Sequence, residues 1–175
     1  MKTLIIQTSP YHTASTLLVN ALYGIIPELS KKNVIGIWNN FHNIVQKIIV
    51  IKSHNINIDE LIKKYETKYK LIFICSERKE MNLVIDEKYR NYNNVIIFDY
   101  DELNETKDNS LIQIVDNIYN KLTNLDVFAD LQLNKELCIE RIHNMNNRYE
   151  EIKTKPFSYI DSFFLLHVSH SNRKK

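Results

Sequence analysis

Four polar clusters in this chain each follow an apolar run, and the first three carry residues suited to a negatively charged group. The first is Thr8-Ser9-Pro10-Tyr11-His12-Thr13-Ala14-Ser15-Thr16, after Leu4-Ile5-Ile6. The second is Lys52-Ser53-His54, after Ile48–Ile51, and the third is Ser76-Glu77-Arg78, after Leu71–Cys75. The fourth is Asp99-Tyr100-Asp101-Glu102-Leu103, after Val95–Phe98. The first cluster runs into a helical pattern with Leu17, Leu18, Ala21, Leu22 and Ile25 on one side. A loop that opens a helix presents unpaired backbone N–H groups and the positive end of the helix dipole, which suits an oxyanion. His12 adds a potential cation there. His54 can take a proton near neutral pH, and Lys52 and Arg78 can hold negative charge on a donor. Together these residue types fit transfer of a charged group, where catalysis is mostly positioning and electrostatic stabilisation.

Each residue also has an ordinary use. Thr13 or Ser15 can simply cap a helix. His54 can be a loop histidine bonded to the backbone, Lys52 a strand-end charge in water, and Arg78 the surface partner of Glu77 or Glu80. Asp99 and Asp101 can be turn-formers. It is the joint placement of the clusters that points to function. A Walker-type phosphate loop is excluded, because it needs two glycines and a lysine. None of either occurs between Thr3 and Gly24.

The elements that must position these clusters follow from periodicity. Thr3–Gln7, Lys47–Ile51, Leu71–Cys75 and Asn94–Phe98 read as buried parallel strands, with Val34–Ile37 a shorter one. Helical patterns cover Thr13–Ile26, Asp59–Tyr69 (capped by Asn57 or Asp59), Glu80–Arg90, Ser110–Leu122 and Asn134–Ile152. Strand and helix in alternation predict a three-layer α/β/α fold around a parallel sheet of about four or five strands. Ligands in such folds sit at the carboxyl ends of the strands, where all four clusters fall.

The 175 residues read as a single domain, residues 1–175, with a terminal helix and tail from about 134. Lys and Arg number 23 against 21 Asp and Glu, a net charge of +2, so no strong field points to nucleic acid or a membrane. Cys75 and Cys138 form neither a disulfide framework nor a zinc pattern. His167 and His170 share a spacing that suits a metal but lack companions, and no metal is expected. No run is long enough to span a membrane and no signal-peptide layout opens the chain, so the expectation is a cytoplasmic protein.

The order of motifs resembles the sulfotransferase superfamily, a P-loop-like α/β family whose donor is 3′-phosphoadenosine 5′-phosphosulfate (PAPS). His12-Thr13-Ala14-Ser15-Thr16-Leu17-Leu18 is similar to that family's 5′-phosphosulfate loop, with Tyr11 inserted after Pro10. Lys52-Ser53-His54 resembles its Lys-Thr-His, whose histidine is the catalytic base. Ile74-Cys75-Ser76-Glu77-Arg78 resembles the strand that ends in the 3′-phosphate arginine, and Tyr100-Asp101-Glu102-Leu103 resembles a later Tyr-Glu-Asp-Leu. The resemblance runs from about Thr3 to Leu122. It implies sulfuryl transfer from PAPS, giving PAP, to a hydroxyl or amine of a small molecule or glycan. It assigns His54 as base, and Lys52 and His12 to the charge on the bridging and leaving oxygens. Thr13, Ala14, Ser15 and Thr16 fall to the 5′-phosphosulfate and Arg78 to the 3′-phosphate. Three departures stand beside it: His12 replaces a lysine or arginine, Asp86 replaces a serine that follows the arginine, and the family's terminal Arg-Lys-Gly has no counterpart except the polar stretch 167–173. Asp86, His12 and the short length of the chain for that family favour a second expectation, a non-catalytic nucleotide- or anion-binding module on the same fold. A third is an atypical phosphotransferase.

Overall fold

A computed structural model describes residues 1–29, 34–35, 46–54, 56–104 and 110–152. Five strands build one sheet: β1 (Lys2–Ser9), β2 (Val34–Ile35), β3 (Ile48–His54), β4 (Tyr69–Glu77) and β5 (Val95–Asp99). Every neighbouring pair is parallel, and the order across the sheet is β2-β3-β1-β4-β5. The helices are α1 (Ser15–Ile25), α2 (Ile58–Tyr65), α3 (Tyr100–Leu103), α4 (Leu111–Thr123) and α5 (Lys135–Ile152). The chain is thus an α/β fold with an all-parallel sheet flanked by helices.

Side chains alternate across a strand, so each strand feeds two cores. Ile5, Val50, Ile72, Ile74 and Phe98 pack against α1, α4 and α5. Leu4, Ile6, Ile49, Ile51 and Phe73 pack against Ile58 and Leu61 of α2 and against Tyr89. The central strand β1 is buried from Thr3 to Ser9, as a strand covered on both faces must be. Burying each large aliphatic side chain stabilises the fold by about 1.5–3 kcal/mol. α2, α4 and α5 start where the sequence places a capping side chain. Asn57 accepts from the Glu60 amide, Ser110 from the Gln113 amide and Asn134 from the Leu137 amide. Asp99 and Glu102 form a reciprocal capping box on α3.

Three expectations change. The helix expected over Glu80–Arg90 does not form: two 3₁₀ turns, Lys79–Met81 and Glu87–Asn91, flank an extended stretch. Arg78 and Leu83 exchange backbone hydrogen bonds of 2.7 and 3.1 Å, and Asn82 turns the chain in the left-handed region at φ 55°. The helix-like spacing of Met81, Val84, Ile85 and Tyr89 misleads, because Met81 and Val84 remain half exposed. The helix expected over Asp59–Tyr69 stops at Tyr65, and Tyr69 begins β4. Finally, β3 and β4 run further than their apolar residues. Lys52, Ser53 and His54 pair with Gln7, Thr8 and Ser9 in the ladder, and Ser76 pairs with Phe98, so these residues lie in strands rather than in loops. Residues 36–37 of the shorter expected strand, His167, His170 and all of 153–175 lie outside the described residues.

One close approach fixes how the helices cross. A Cβ added at Gly24 of α1 would stand 2.8 Å from the Cα and 2.7 Å from the Sγ of Cys138 on α5. Alanine ordinarily gains about 1 kcal/mol over glycine inside a helix. Here the obstacle is partly backbone, so overpacking of about 1–3 kcal/mol opposes that gain. Gly24→Ala is expected to lower the midpoint of urea unfolding with an unchanged slope. A raised midpoint would show that α5 can move away freely.

Candidate functional site

The alternation that builds the cores also gathers the polar strand ends. Gln7 and Ser9 continue the face of Ile5, Lys52 and His54 continue the face of Val50, and Ser76 continues the face of Ile74. All five therefore lie on the α1 side of the sheet, beneath the loop Pro10–Ala14. The chain after β1 turns to that side as α1, whereas the chains after β3 and β4 turn to the other, with α2 and Tyr89. Strand ends whose continuations part in this way leave a crevice, the usual ligand position in an open parallel sheet.

The loop is held by buried hydroxyls. Thr13 is fully buried and its Oγ1 donates to the Pro10 carbonyl at 2.8 Å. Ser76, also fully buried, has its hydroxyl 2.9 Å from Thr13 Oγ1 and 3.0 Å from Ser9 Oγ. Ser9 Oγ further accepts from the Ser76 amide at 2.8 Å and from Gln7 Nε2 at 2.7 Å. Ser76 has one hydroxyl proton for two neighbours; given to Thr13, it leaves Ser9 to donate back to Ser76, so all three hydroxyls are used. These bonds hold a backbone that would not choose its shape alone. His12 and Ala14 both sit in the left-handed region, at φ 65° and 61°, which costs a residue with a Cβ about 1–2 kcal/mol. Ala14 occupies the cap position of α1 with no side-chain cap. Thus neither Thr13 nor Ser15 caps the helix, and its first-turn amides receive no side-chain oxygen in that way.

Two basic side chains meet this helix start from β3. Lys52 Nζ donates to Thr16 Oγ1 in the first turn of α1, and burial lowers its pKa from the ordinary lysine value. His54 lies two residues on, with Nδ1 2.9 Å from the Ser9 carbonyl oxygen. A carbonyl can only accept, so Nδ1 carries the hydrogen, and the neutral ring keeps its lone pair on Nε2. Burial is the main cause that holds the His54 pKa below its ordinary value; the positive charge of Lys52 and His12 acts the same way, and the Ser9 bond opposes them. The Tyr11 ring stacks on the imidazole, with centroids 4.1 Å apart and planes 25° from parallel. His12 itself is exposed.

Arg78 stands past the end of β4. Its guanidinium lies 4.0 Å from the Tyr100 ring centroid and its Nε donates to Glu80, one of the two surface partners expected for it. Lys79 pairs with Asp99 at 2.7 Å and reaches Glu77 at 3.6 Å. Glu77 is buried and is met by Arg90 at 2.7 Å. Asp86 caps the second 3₁₀ turn through the Lys88 amide and lines a cleft on the α2 side with Thr8, Ile58 and Tyr89. Its charge therefore belongs to a different face from Lys52 and His54.

The structure thus brings Thr13, Ala14, Ser15, Thr16, Lys52 and His54 together at one strand end, and stations Arg78 on the Tyr100 side. It leaves the Thr13 hydroxyl committed inside the protein, so that residue offers a ligand its backbone only. Sequence reading named Ser9, Tyr11 and Ser76 within the clusters but gave them no role. A signal existed for two of them: one constant offset pairs Lys2 with Tyr69 through Gln7 with Ile74, and the same offset sets Ser9 beside Ser76. Among the described residues no group of three metal-ligating side chains gathers, and no helix is long and apolar enough to cross a membrane.

The His54 environment has a sign that can be tested. Above about pH 6.5, the ordinary histidine value, neither folded nor unfolded chain holds the proton and stability is unaffected. As pH falls below that value the unfolded chain binds the proton first, so stability drops until the lowered folded pKa is passed. The His54 ring resonances are expected to titrate at lower pH than those of an unfolded peptide, and His54→Gln is expected to flatten the stability profile across that window. A titration above the peptide value contradicts the buried, neutral ring.

No protein-family model, no curated protein and no solved structure matches this chain.

Proposed function

We propose that this protein is a PAPS-dependent sulfotransferase of P-loop-like fold, moving a sulfuryl group to a hydroxyl or amine of a small molecule or glycan. The observation that carries this reading is the tethered imidazole. His54 is held through Nδ1 by Ser9, leaving Nε2 as a base two residues from a lysine that reaches the start of α1. A general base needs a nitrogen with a lone pair to accept the proton; the Ser9 bond to Nδ1 leaves that lone pair on Nε2, and burial lowers the ring's pKa, which favours the neutral form. The resemblance of the motifs supplies the donor.

In the proposed reaction the backbone of Thr13, Ala14 and Ser15 and the first turn at Thr16 receive the 5′-phosphosulfate. Arg78 takes the 3′-phosphate, exchanging its surface partner Glu80 for it. The acceptor oxygen or nitrogen attacks sulfur as the bond from sulfur to the bridging oxygen of the 5′-phosphate breaks. The acceptor's proton passes to His54 Nε2, and PAP departs with the electron pair. Lys52 and His12 stabilise the charge that gathers on the bridging and leaving oxygens. No step uses a metal.

A second reading, a binding module without turnover, is favoured by one feature. The hydroxyl of Thr13 is spent on Pro10 and Ser76, so the loop offers fewer donors than its sequence contains.

Calorimetric titration with PAP, ADP, ATP and 5′-AMP tests the donor. PAP is expected to bind preferentially through its 3′-phosphate and to lose that preference in Arg78→Ala; equal affinity for 5′-AMP ends the PAPS reading. For the base, His54→Ala is expected to lower turnover by about 10²–10⁴-fold while PAP affinity stays within about twofold. Undiminished turnover in that variant removes His54 from the mechanism. PAP binding with no turnover against a broad acceptor panel selects the binding module.

A further inference from the structure

Tyr11 has no part in the reaction as written above, yet its ring lies on the base. The side chain is 59% exposed, so it contributes little to the core. It nevertheless stacks face to face on the His54 imidazole, with centroids 4.1 Å apart and planes 25° from parallel. The backbone delivers it there. Ser9 and His54 are partners in the β1–β3 ladder, and Tyr11 follows Ser9 by two residues. The chain then turns at once. His12 takes the left-handed region at φ 65°, and Thr13 Oγ1 closes the turn on the Pro10 carbonyl at 2.8 Å. Tyr11 lies inside that closed turn, which returns its ring over the end of β3.

A tethered imidazole needs a second restraint before it can serve one acceptor. The Ser9 bond fixes where Nδ1 lies and leaves the ring plane loose. A carbonyl oxygen accepts over a broad range of directions, and the outer torsion of a histidine has a broad minimum. A swing within that latitude carries Nε2 off its line to the acceptor. A nearly parallel aromatic face opposes the swing, because the imidazole can turn only by losing the stack.

We propose that Tyr11 is a positioning residue for His54. The Ser9 carbonyl sets the place of Nδ1, the Tyr11 ring sets the plane, and together they aim Nε2. Tyr11 acts through His54 and touches no reacting atom. This inference rests on the reading of His54 as the base of sulfuryl transfer.

The test compares Tyr11→Phe, which keeps the ring, with Tyr11→Leu, which keeps the bulk and removes it. In NMR spectra of the full chain the His54 ring protons are expected upfield in the unaltered protein and in Tyr11→Phe, and to lose that shift in Tyr11→Leu. Turnover is read with PAPS and the best acceptor of the panel above. Tyr11→Leu is expected to lower kcat by about ten- to a hundredfold, as a small misplacement of a reacting group does, with KM for PAPS within about twofold. Tyr11→Phe is expected to retain kcat. A merely structural role would lower the urea midpoint of Tyr11→Leu and leave kcat of the folded enzyme unchanged, which overturns the proposal. Equal losses in both variants assign the effect to the hydroxyl, and a raised KM with unchanged kcat makes Tyr11 a ligand contact; either overturns it. So does the absence of the upfield shift in the unaltered protein. Turnover that falls in His54→Ala and not in Tyr11→Leu removes the role of Tyr11 alone. No turnover in the unaltered protein removes the base reading and the role of Tyr11 with it.

Discussion

Ser9, the last residue of the central strand, is where the structure's two demands meet. Its side chain bonds to the Ser76 amide and hydroxyl on β4, and its carbonyl receives His54 from β3. One residue thus links three adjacent strands at the point where their continuations part to opposite faces. The register of β1 against both neighbours follows from the hydrophobic pattern, since a slip by one residue would turn every core side chain to the wrong face. With the register set, Ser9 faces Ser76 and His54, and the polar ends come together without any contact between the loops being required.

The same constraint explains why a strained loop persists. His12 and Ala14 adopt left-handed backbone without being glycine, a conformation a free loop would leave. Thr13 between them is anchored to Pro10 and Ser76 inside the protein, where no water competes for its hydroxyl. A buried hydroxyl left without a partner costs about 1–3 kcal/mol, comparable with the backbone strain it opposes. The loop is preorganised by the sheet beneath it. Preorganisation is what an oxyanion site needs, because donors already in place need not be rearranged when charge develops.

Charge is divided across the end of β1 by the alternation of side chains. Lys52 and His54 stand on the α1 side with the helix start. Asp86 and Tyr89 stand on the α2 side, where they line a small cleft with Thr8, Ser9 and Pro10. Asp86 and Arg78 are eight residues apart in sequence and suggest a clash within one phosphate site. The turn at Arg78–Leu83 sends them to different places, Arg78 onto Tyr100 and Asp86 over Thr8 and Ile58.

Sequence alone determined the elements whose signals are local. Continuous apolar runs marked the four long strands, and Asn134 and the pair Asn57 or Asp59 marked helix starts, of which Asn57 is the one that caps, because a capping side chain acts within three residues of itself. The parallel α/β arrangement followed from the alternation of those elements. The sequence also carried Lys52, His54 and the β1–α1 loop as candidates, because their positions after apolar runs place them at strand ends. Tertiary structure decided what depends on distant partners. Lys52, Ser53, His54 and Ser76 could be seen as strand residues only through pairing with β1 and β5, since polar residues do not lengthen an apolar run. The stretch 78–91 has helical spacing but is folded by contacts of Arg78 with Leu83 and of Glu77 with Arg90. Tyr11 reads as an insertion in a loop and becomes a partner of His54 through a stack between residues far apart in the chain. A local signal is written in neighbouring residues; a stack, a buried hydroxyl chain or a choice of sheet face exists only once separate strands are brought into register.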